Sequence, residues 1–192
     1  MPKIIEDARR TILATVREHI QAEGWEALAL RTIAARAGIA QGTIYNYFSS
    51  REQIAFTVVG EDFSALLARV TDLSEGRVAT NRALRTLFAE FRSFMAVYQK
   101  IWEEGGFAAV GQGRHFHQRS VNSTERDLLS ILERILSRRK LVSGLDGELV
   151  MDFIGRAFIR LSRTSQGSCE ALFPIIDRLL EADPLNTEEV ST

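Results

Sequence analysis

Apolar residues recur every three or four positions along almost the whole chain, the spacing that places them on one face of an α-helix. The first such segment covers about residues 4–23, and Gly24 follows it as a natural helix stop. Its apolar positions are Ile5, Ala8, Ile12, Val16 and Ile20. Stretches that alternate apolar and polar residues between turns are absent, so the pattern predicts an all-α protein.

Further helices are predicted by the same spacing. They lie at about residues 30–37, 41–48, 51–72, 79–100 and 118–139, and the last two carry broad apolar faces over 149–161 and 172–180. Gly38 is expected to end the second helix in the left-handed conformation. Ser50 and Asp146 stand where the fourth and the penultimate helix need N-caps. Four glycines within residues 105–113 predict a loop or a broken helix there.

Residues 30–48 contain two short helical segments joined by a glycine turn, which is typical of a helix-turn-helix motif. Four apolar side chains are expected to turn inward together: Ile33, Ile39, Ile44 and Phe48. Polar side chains of the second helix are then left facing outward: Gln41, Thr43, Asn46 and Tyr47, with Tyr45 at the flank. A helix of this kind fits the DNA major groove, which is about 12 Å wide. An ordinary helical hairpin with solvated tyrosines is the competing interpretation.

Charge and cysteine content narrow the class of protein. The formal net charge of −1 argues against coating nucleic acid through bulk charge, but residues 27–51 hold three arginines and no acidic residue. Of these, Arg31 and Arg51 flank the second motif helix in sequence and are candidate phosphate ligands.

Cys169 is the only cysteine, which excludes an intrachain disulfide. With no signal-peptide pattern and no long apolar run, we expect a soluble cytoplasmic protein.

Residues 12–54 closely resemble the N-terminal domain of the tetracycline-repressor-like (TetR) family. The resemblance is carried by Gly24-Trp25, Ile33-Ala34, Ala37-Gly38-Ile39, Gly42-Thr43-Ile44-Tyr45, Tyr47-Phe48 and Ser50-Arg51-Glu52. It implies an N-terminal three-helix DNA-binding domain at residues 1–50. It also implies a larger helical domain at residues 51–192 that binds an effector and dimerises.

The resemblance assigns DNA contacts to the motif. It implies that Gln41, Gly42, Thr43, Asn46 and Tyr47 face the operator and that Tyr45 contacts a backbone phosphate. Arg51 stands where the family usually has lysine and is expected to bind phosphate as a fork. The chain departs from the family at Ala29 and Ala40, where Ser or Thr often caps the motif helices. An alanine at an N-cap costs about 1 kcal/mol.

In the C-terminal part, the family's last two helices form a four-helix dimer bundle. This implies a dimer interface at Leu149, Phe153, Ala157, Leu161, Leu172, Ile176 and Leu179, although the same faces also suit packing inside one chain. Family members usually keep an effector cavity between the preceding helices. Aromatic candidates for its walls, which are otherwise core residues, are Phe63, Phe91, Trp102, Phe107 and Phe153. Such walls suit an apolar or flat aromatic ligand.

The function indicated is a homodimeric transcriptional regulator, a repressor that a small-molecule effector releases from a palindromic operator. The alternatives are a helical small-molecule-binding protein and an enzyme without operator-specific DNA binding. The sequence lacks the usual hydrolase, phosphate-loop and zinc-protease motifs, so we expect no enzyme and no cofactor. His115 and His117 have no third ligand at a helpful spacing, so no metal site is expected.

Overall fold

The computed structural model describes residues 7–75, 78–103, 126–163 and 170–181, without the side chains of residues 99, 100, 102, 103 and 163. Within these ranges the chain is helical, and its one extended pairing there is an isolated bridge between Leu141 and Leu180. The helices are α1 (Ala8–Glu23), α2 (Leu30–Arg36), α3 (Gln41–Tyr45), α4 (Arg51–Thr71), α5 (Thr80–Glu103), α6 (residues 126–136), α7 (Gly147–Arg163) and α8 (Leu172–Leu179). The predicted all-α class is confirmed.

Most helix ends in the structure lie within one or two residues of the positions that the sequence predicted. Ser50 caps α4, since its Oγ accepts from the amide of Gln53 at 3.2 Å, and Asp146 caps α7 through the amide of Leu149 at 3.1 Å. Three helices end three residues from the predicted position: α5 continues to Glu103, α6 ends at residue 136, and α3 ends at Tyr45 where the periodicity predicted a helix to Phe48. Helix α3 ends early because Ser49 and Ser50 are bonded to Gln53 at the N-terminus of α4.

Backbone proximity divides the described residues into two compact units. The first contains residues 7–64 and 97–103, and the second contains 65–75, 78–96, 126–163 and 170–181. The predicted domain boundary between residues 50 and 51 falls inside the first unit, in which the start of α4 packs with α1 to α3. That boundary remains a prediction about which segment folds as a domain.

The core of the first unit is built from the periodic apolar residues of α1 to α4. Fully buried side chains come from each helix: Ile12, Val16, Ile33, Ile44, Ile54 and Val58. Burying a side chain of this size stabilises the fold by about 1.5–3 kcal/mol. The short helices α2 and α3 are therefore held by this shared core, because segments of this length are not stable alone.

The second unit contains an aromatic cluster between α5 and α7. The ring of Phe158 meets Phe88 edge to face at 5.3 Å and lies 6.2 Å from Phe91. Both distances fall in the range that favours aromatic pairs. None of the helices in the described ranges combines the length and the apolar character that a membrane span requires.

The end of α8 is tied to the segment before α7 by a buried arginine. Arg139 donates from Nε to the carbonyl of Glu181 at 2.6 Å, from Nη1 to Asp177 at 2.8 Å and from Nη2 to the carbonyl of Leu180 at 3.3 Å. Two backbone hydrogen bonds flank it, from Val142 to the carbonyl of Leu179 and from Glu181 to that of Lys140. These bonds form what we term the α8 anchor.

Candidate nucleic-acid interface

The turn between α2 and α3 depends on a glycine with a left-handed backbone conformation. Gly38 has φ of +66°, the left-handed conformation predicted from the sequence. The amide of Ile39 donates to the carbonyl of Ala34 at 3.0 Å, and that of Gly38 to the carbonyl of Ala35 at 3.3 Å. This pair of bonds is a Schellman motif, which satisfies the carbonyls at the end of α2 and directs the chain into α3.

Beneath the turn lies the apolar cluster that the sequence predicted. Ile33, Ile44 and Phe48 are buried, and Ala34 is buried beside them. Ile39 differs from the prediction, because its side chain is half-buried and not fully turned inward. It lies in the connection between the two helices, where neighbouring side chains can cover one side of it.

The opposite face of the motif, formed by α3 and the turn that follows it, is open to solvent. Gln41, Gly42 and Asn46 are exposed, and the side chains of Tyr45 and Tyr47 are 53% and 37% exposed. Thr43 is half-buried. A Cβ built on Gly42 would meet no atom within 4 Å, so packing inside this chain does not require glycine there. The face thus presents amides, hydroxyls and two aromatic rings to whatever approaches it.

The two alanines that replace the usual capping residues leave both motif helices without a side-chain cap. Ala29 precedes α2 and Ala40 precedes α3, and neither helix has a cap hydrogen bond from these positions. The motif therefore depends on its apolar cluster and on the Schellman turn.

The arginines around the motif have different surroundings. Arg51 is engaged inside the unit: Nη1 donates to the carbonyl of Leu28 at 3.3 Å, Nε pairs with Glu52 at 3.0 Å, and the guanidinium lies 4.8 Å from the centre of the Trp25 ring. Arg31 is exposed, and no acidic side chain in the described part of the chain pairs with it. Of the two predicted phosphate ligands, Arg31 is the more available.

Arg36 contacts a buried histidine that no sequence motif marks. Its guanidinium pairs with Glu23 and lies 3.1 Å from Nδ1 of His19, whose side chain is buried. The same nitrogen lies 3.4 Å from a carboxylate oxygen of Glu23. Nε2 is itself buried, with no hydrogen-bond partner in the described residues. Periodicity assigned Val16 and Ile20 to the buried face and left His19 unassigned, so no local signal pointed to the pair.

The predicted effector-pocket residues are divided between the two units. Phe63 is buried in the first unit, and Phe91 is buried and Phe153 half exposed in the second. The side chain of Trp102 and all of Phe107 lie outside the described residues, as do His115 and His117.

The second unit has a groove of about 1000 Å³ between α6 and α7. Its lining includes charged residues and the apolar or small residues Leu129, Leu132, Met151, Gly155 and Ile159. None of the predicted pocket residues lines this groove.

The predicted dimer face is exposed on α7 and largely covered on α8. Leu149 and Phe153 are 68% and 49% exposed, and Ala157 and Leu161 are half-buried. On α8, Leu172 and Ile176 are buried within the chain and Leu179 is half-buried, whereas Ile175 is exposed. Periodicity located the apolar face of α8, but it did not indicate which side the chain itself covers.

No cluster of three or more His, Cys, Asp or Glu side chains that would suit a metal occurs in the ranges the structure describes. The exposed face of the motif, with the arginines beside it, offers hydrogen-bonding groups, aromatic rings and positive charge.

Comparison with known proteins agrees with this geometry. Residues 12–58 match the family described as "Bacterial regulatory proteins, tetR family", which confirms the resemblance seen at residues 12–54. The HTH-type transcriptional repressor KstR of Mycobacterium tuberculosis is 35% identical over 74 residues, which are 38% of this chain and 33% of that protein. The chain thus spans about a third of the length of the curated relatives it matches.

Solved structures show the same fold over nearly the whole chain. The transcriptional regulator FadR of Bacillus subtilis, in complex with stearoyl-CoA, has a TM-score of 0.62 at 21% identity, covering 87% of this chain and 94% of FadR. The ketosteroid transcriptional regulator KstR2 of Mycobacterium tuberculosis has a TM-score of 0.58 at 17% identity, covering 91% and 95%.

Proposed function

We propose that the protein is a cytoplasmic DNA-binding transcriptional regulator that inserts α3 into the major groove of an operator. The exposed polar and aromatic face of α3, fixed over a buried apolar cluster, is the observation that supports this most directly. Such a helix presents side chains to base edges while its flanks meet phosphates. The family match over residues 12–58 supports the same reading.

Tyr47 provides a test of the face itself. We expect Tyr47→Ala to weaken operator binding about tenfold or more, because it removes an exposed ring and hydroxyl from the centre of the contact, a loss of about 1–3 kcal/mol. Helicity and oligomeric state should stay unchanged, since Tyr47 is not among the buried core residues of the unit. A gel shift at fixed salt measures the affinity, and unchanged binding would reject the assignment.

Arg31 and Arg51 are the two proposed phosphate contacts, and their alanine variants can be compared directly. We expect Arg31→Ala to lower affinity on all DNA sequences and to flatten the salt dependence by about one unit, as loss of one phosphate contact does. Arg51→Ala removes a side chain that also packs on Trp25, so it should lower thermal stability as well. Titrations at several salt concentrations, beside melting curves, separate the two effects. An unaltered slope in both variants would contradict a phosphate role for either arginine.

We further propose that the protein binds a palindromic operator as a homodimer formed through α7 and α8. Supporting this, Leu149, Phe153 and Ile175 leave exposed apolar area on these two helices. A dimer presents two recognition helices about 34 Å apart, which doubles the DNA contact and matches a palindrome. Sedimentation equilibrium at micromolar concentration tests the assembly, and a mass of one chain would contradict it.

We propose a small apolar or aromatic molecule as the effector, which releases the repressor from DNA. Support comes from the aromatic side chains of the chain's predicted pocket and from FadR of Bacillus subtilis, whose solved structure holds stearoyl-CoA. An effector acts by binding the released conformation more tightly than the DNA-bound one. Phe63, Phe91, Trp102, Phe107 and Phe153 remain the candidate pocket residues.

One experiment separates a regulator from the alternatives. The protein is incubated with genomic fragments at moderate salt, and the retained fragments are sequenced. Recovery of one palindromic site is the expected result. Random recovery would favour a helical small-molecule-binding protein or an enzyme, and the operator proposal would then fail.

A further inference from the structure

Asp62, on α4, is bonded by side chains from two other helices at once. Arg17 of α1 donates from Nε to both carboxylate oxygens, at 2.8 and 3.0 Å, and its Nη2 lies 2.7 Å from Oδ1. Tyr98 of α5 donates its hydroxyl proton to Oδ2. All three residues lie in the first unit, so we refer to them as the Asp62 triad.

The triad is partly shielded from water, which strengthens its bonds. Tyr98 is buried, while the side chains of Arg17 and Asp62 are 30% and 26% exposed. Burial and the bond to Asp62 raise the pKa of Tyr98, and the bond to Asp62 raises the pKa of Arg17. The hydroxyl therefore stays protonated and the guanidinium charged, so both remain donors throughout the physiological pH range.

A second acidic residue extends the contact between α1 and α4. Glu61 pairs with Arg9 at 3.1 Å and with Arg17 at 3.5 Å. These pairs are more exposed than the triad, and exposed ion pairs contribute little. The better-shielded carboxylate of Asp62 therefore makes the stronger ionic contact between α1 and α4.

The hydroxyl of Tyr98 orients this carboxylate. Arg17 engages both oxygens of Asp62, which requires one orientation of the carboxylate plane. The Tyr98 hydroxyl bonds Oδ2 from another helix and so restricts rotation of that plane. Moreover, Tyr98 lies near the end of α5, a continuous helix whose earlier residues 80–96 belong to the second unit.

We propose that Asp62 is a positioning residue for the recognition helix, and that Tyr98 controls it. While the Tyr98 hydroxyl holds the carboxylate, Arg17 fixes α1, and α1 carries α2 and α3 in the DNA-binding arrangement. A shift of the end of α5 that withdraws the hydroxyl loosens α1 on α4. The expected change in DNA binding rests on the proposed function, whereas the expected change in how α1 is held on α4 does not.

The test uses Tyr98→Phe, which removes the hydroxyl and keeps the ring. Hydrogen exchange of the α1 backbone amides, measured on the full-length protein alone, should become about tenfold faster, as expected for loss of one hydrogen bond to a charged group. Tyr47→Phe is the matched control, since it removes a tyrosine hydroxyl from the exposed face of α3. Equal exchange in the two variants would overturn the proposal.

DNA binding then distinguishes positioning from structural damage. For Tyr98→Phe, affinity for the full palindrome should fall about tenfold while affinity for an isolated half-site stays unchanged, because each recognition helix is intact but poorly placed. Equal losses on both DNAs, or no loss on either, would overturn the positioning role.

A double-mutant cycle provides an independent check. If the hydroxyl acts through the carboxylate, Tyr98→Phe should have a much smaller effect in an Asp62→Asn background than in the natural chain. Additive effects would overturn the proposal. If the natural protein recovers no operator, the proposed function fails by itself, and amide exchange alone decides on the triad.

Discussion

Replacing Ile44 with alanine should abolish operator binding and lower the free energy of unfolding of the first unit by about 2–4 kcal/mol. Ile44 is the buried side chain of a five-residue helix, and it lies with Ile33 and Phe48 in the motif cluster. A helix this short has no stability of its own, so its position depends on the cluster to which it contributes this side chain. The loss should therefore affect placement of the recognition face more than overall helicity.

Ile39→Ala is the matched control, since it makes the same substitution in the same motif at a half-buried position. We expect it to cost about 1 kcal/mol and to leave most of the DNA affinity. Amide exchange at Ala37, whose N–H bonds the carbonyl of Ile33, reports the stability of the motif, and a gel shift reports binding. Equal effects of the two substitutions would show that the motif is not held by the buried cluster.

The second large effect is expected at the α8 anchor. Arg139→Met should lower the free energy of unfolding of the second unit by about 3 kcal/mol, because it leaves the carbonyls of Leu180 and Glu181 without their donor and Asp177 without a cation. The arginine side chain is 4% exposed, so water cannot easily take its place. Since α8 contributes to the proposed dimer face, assembly should weaken with it.

Lys140→Met provides the control, because it removes the same charge from the neighbouring, exposed position. Thermal denaturation should show a clear drop for Arg139→Met and little change for Lys140→Met. Limited proteolysis should release the segment after α7 from the first variant only. Indistinguishable melting curves would mean that the flanking backbone bonds hold α8 without the arginine.

Features set by neighbouring residues were predictable from the sequence. Helical periodicity predicted the all-α class, and turn chemistry predicted the left-handed Gly38 and the caps at Ser50 and Asp146. The inward face of the motif followed from the same spacing, because three of its four predicted residues are buried. These signals act within about four residues, and periodicity captures that range.

Features that depend on distant residues were not predictable in this way. Arg51 packs on Trp25 and bonds the carbonyl of Leu28, although its place in sequence beside α3 suggested a phosphate ligand. Asp62 meets Arg17 and Tyr98, which lie 45 and 36 residues away, so no local pattern marks the three as partners. On α8, spacing identified an apolar side without showing that Ile175 is the exposed position.

The alternation of roles along residues 41–48, which are α3 and the turn after it, has an evolutionary consequence. Ile44 and Phe48 maintain the fold, while Gln41, Asn46 and Tyr47 point away from it. Substitutions at the outward positions can therefore accumulate after gene duplication without loss of stability. Under the proposed function, a descendant of this gene can acquire a new set of target promoters through a few such changes, and laboratory libraries confined to these codons should sample the same diversity.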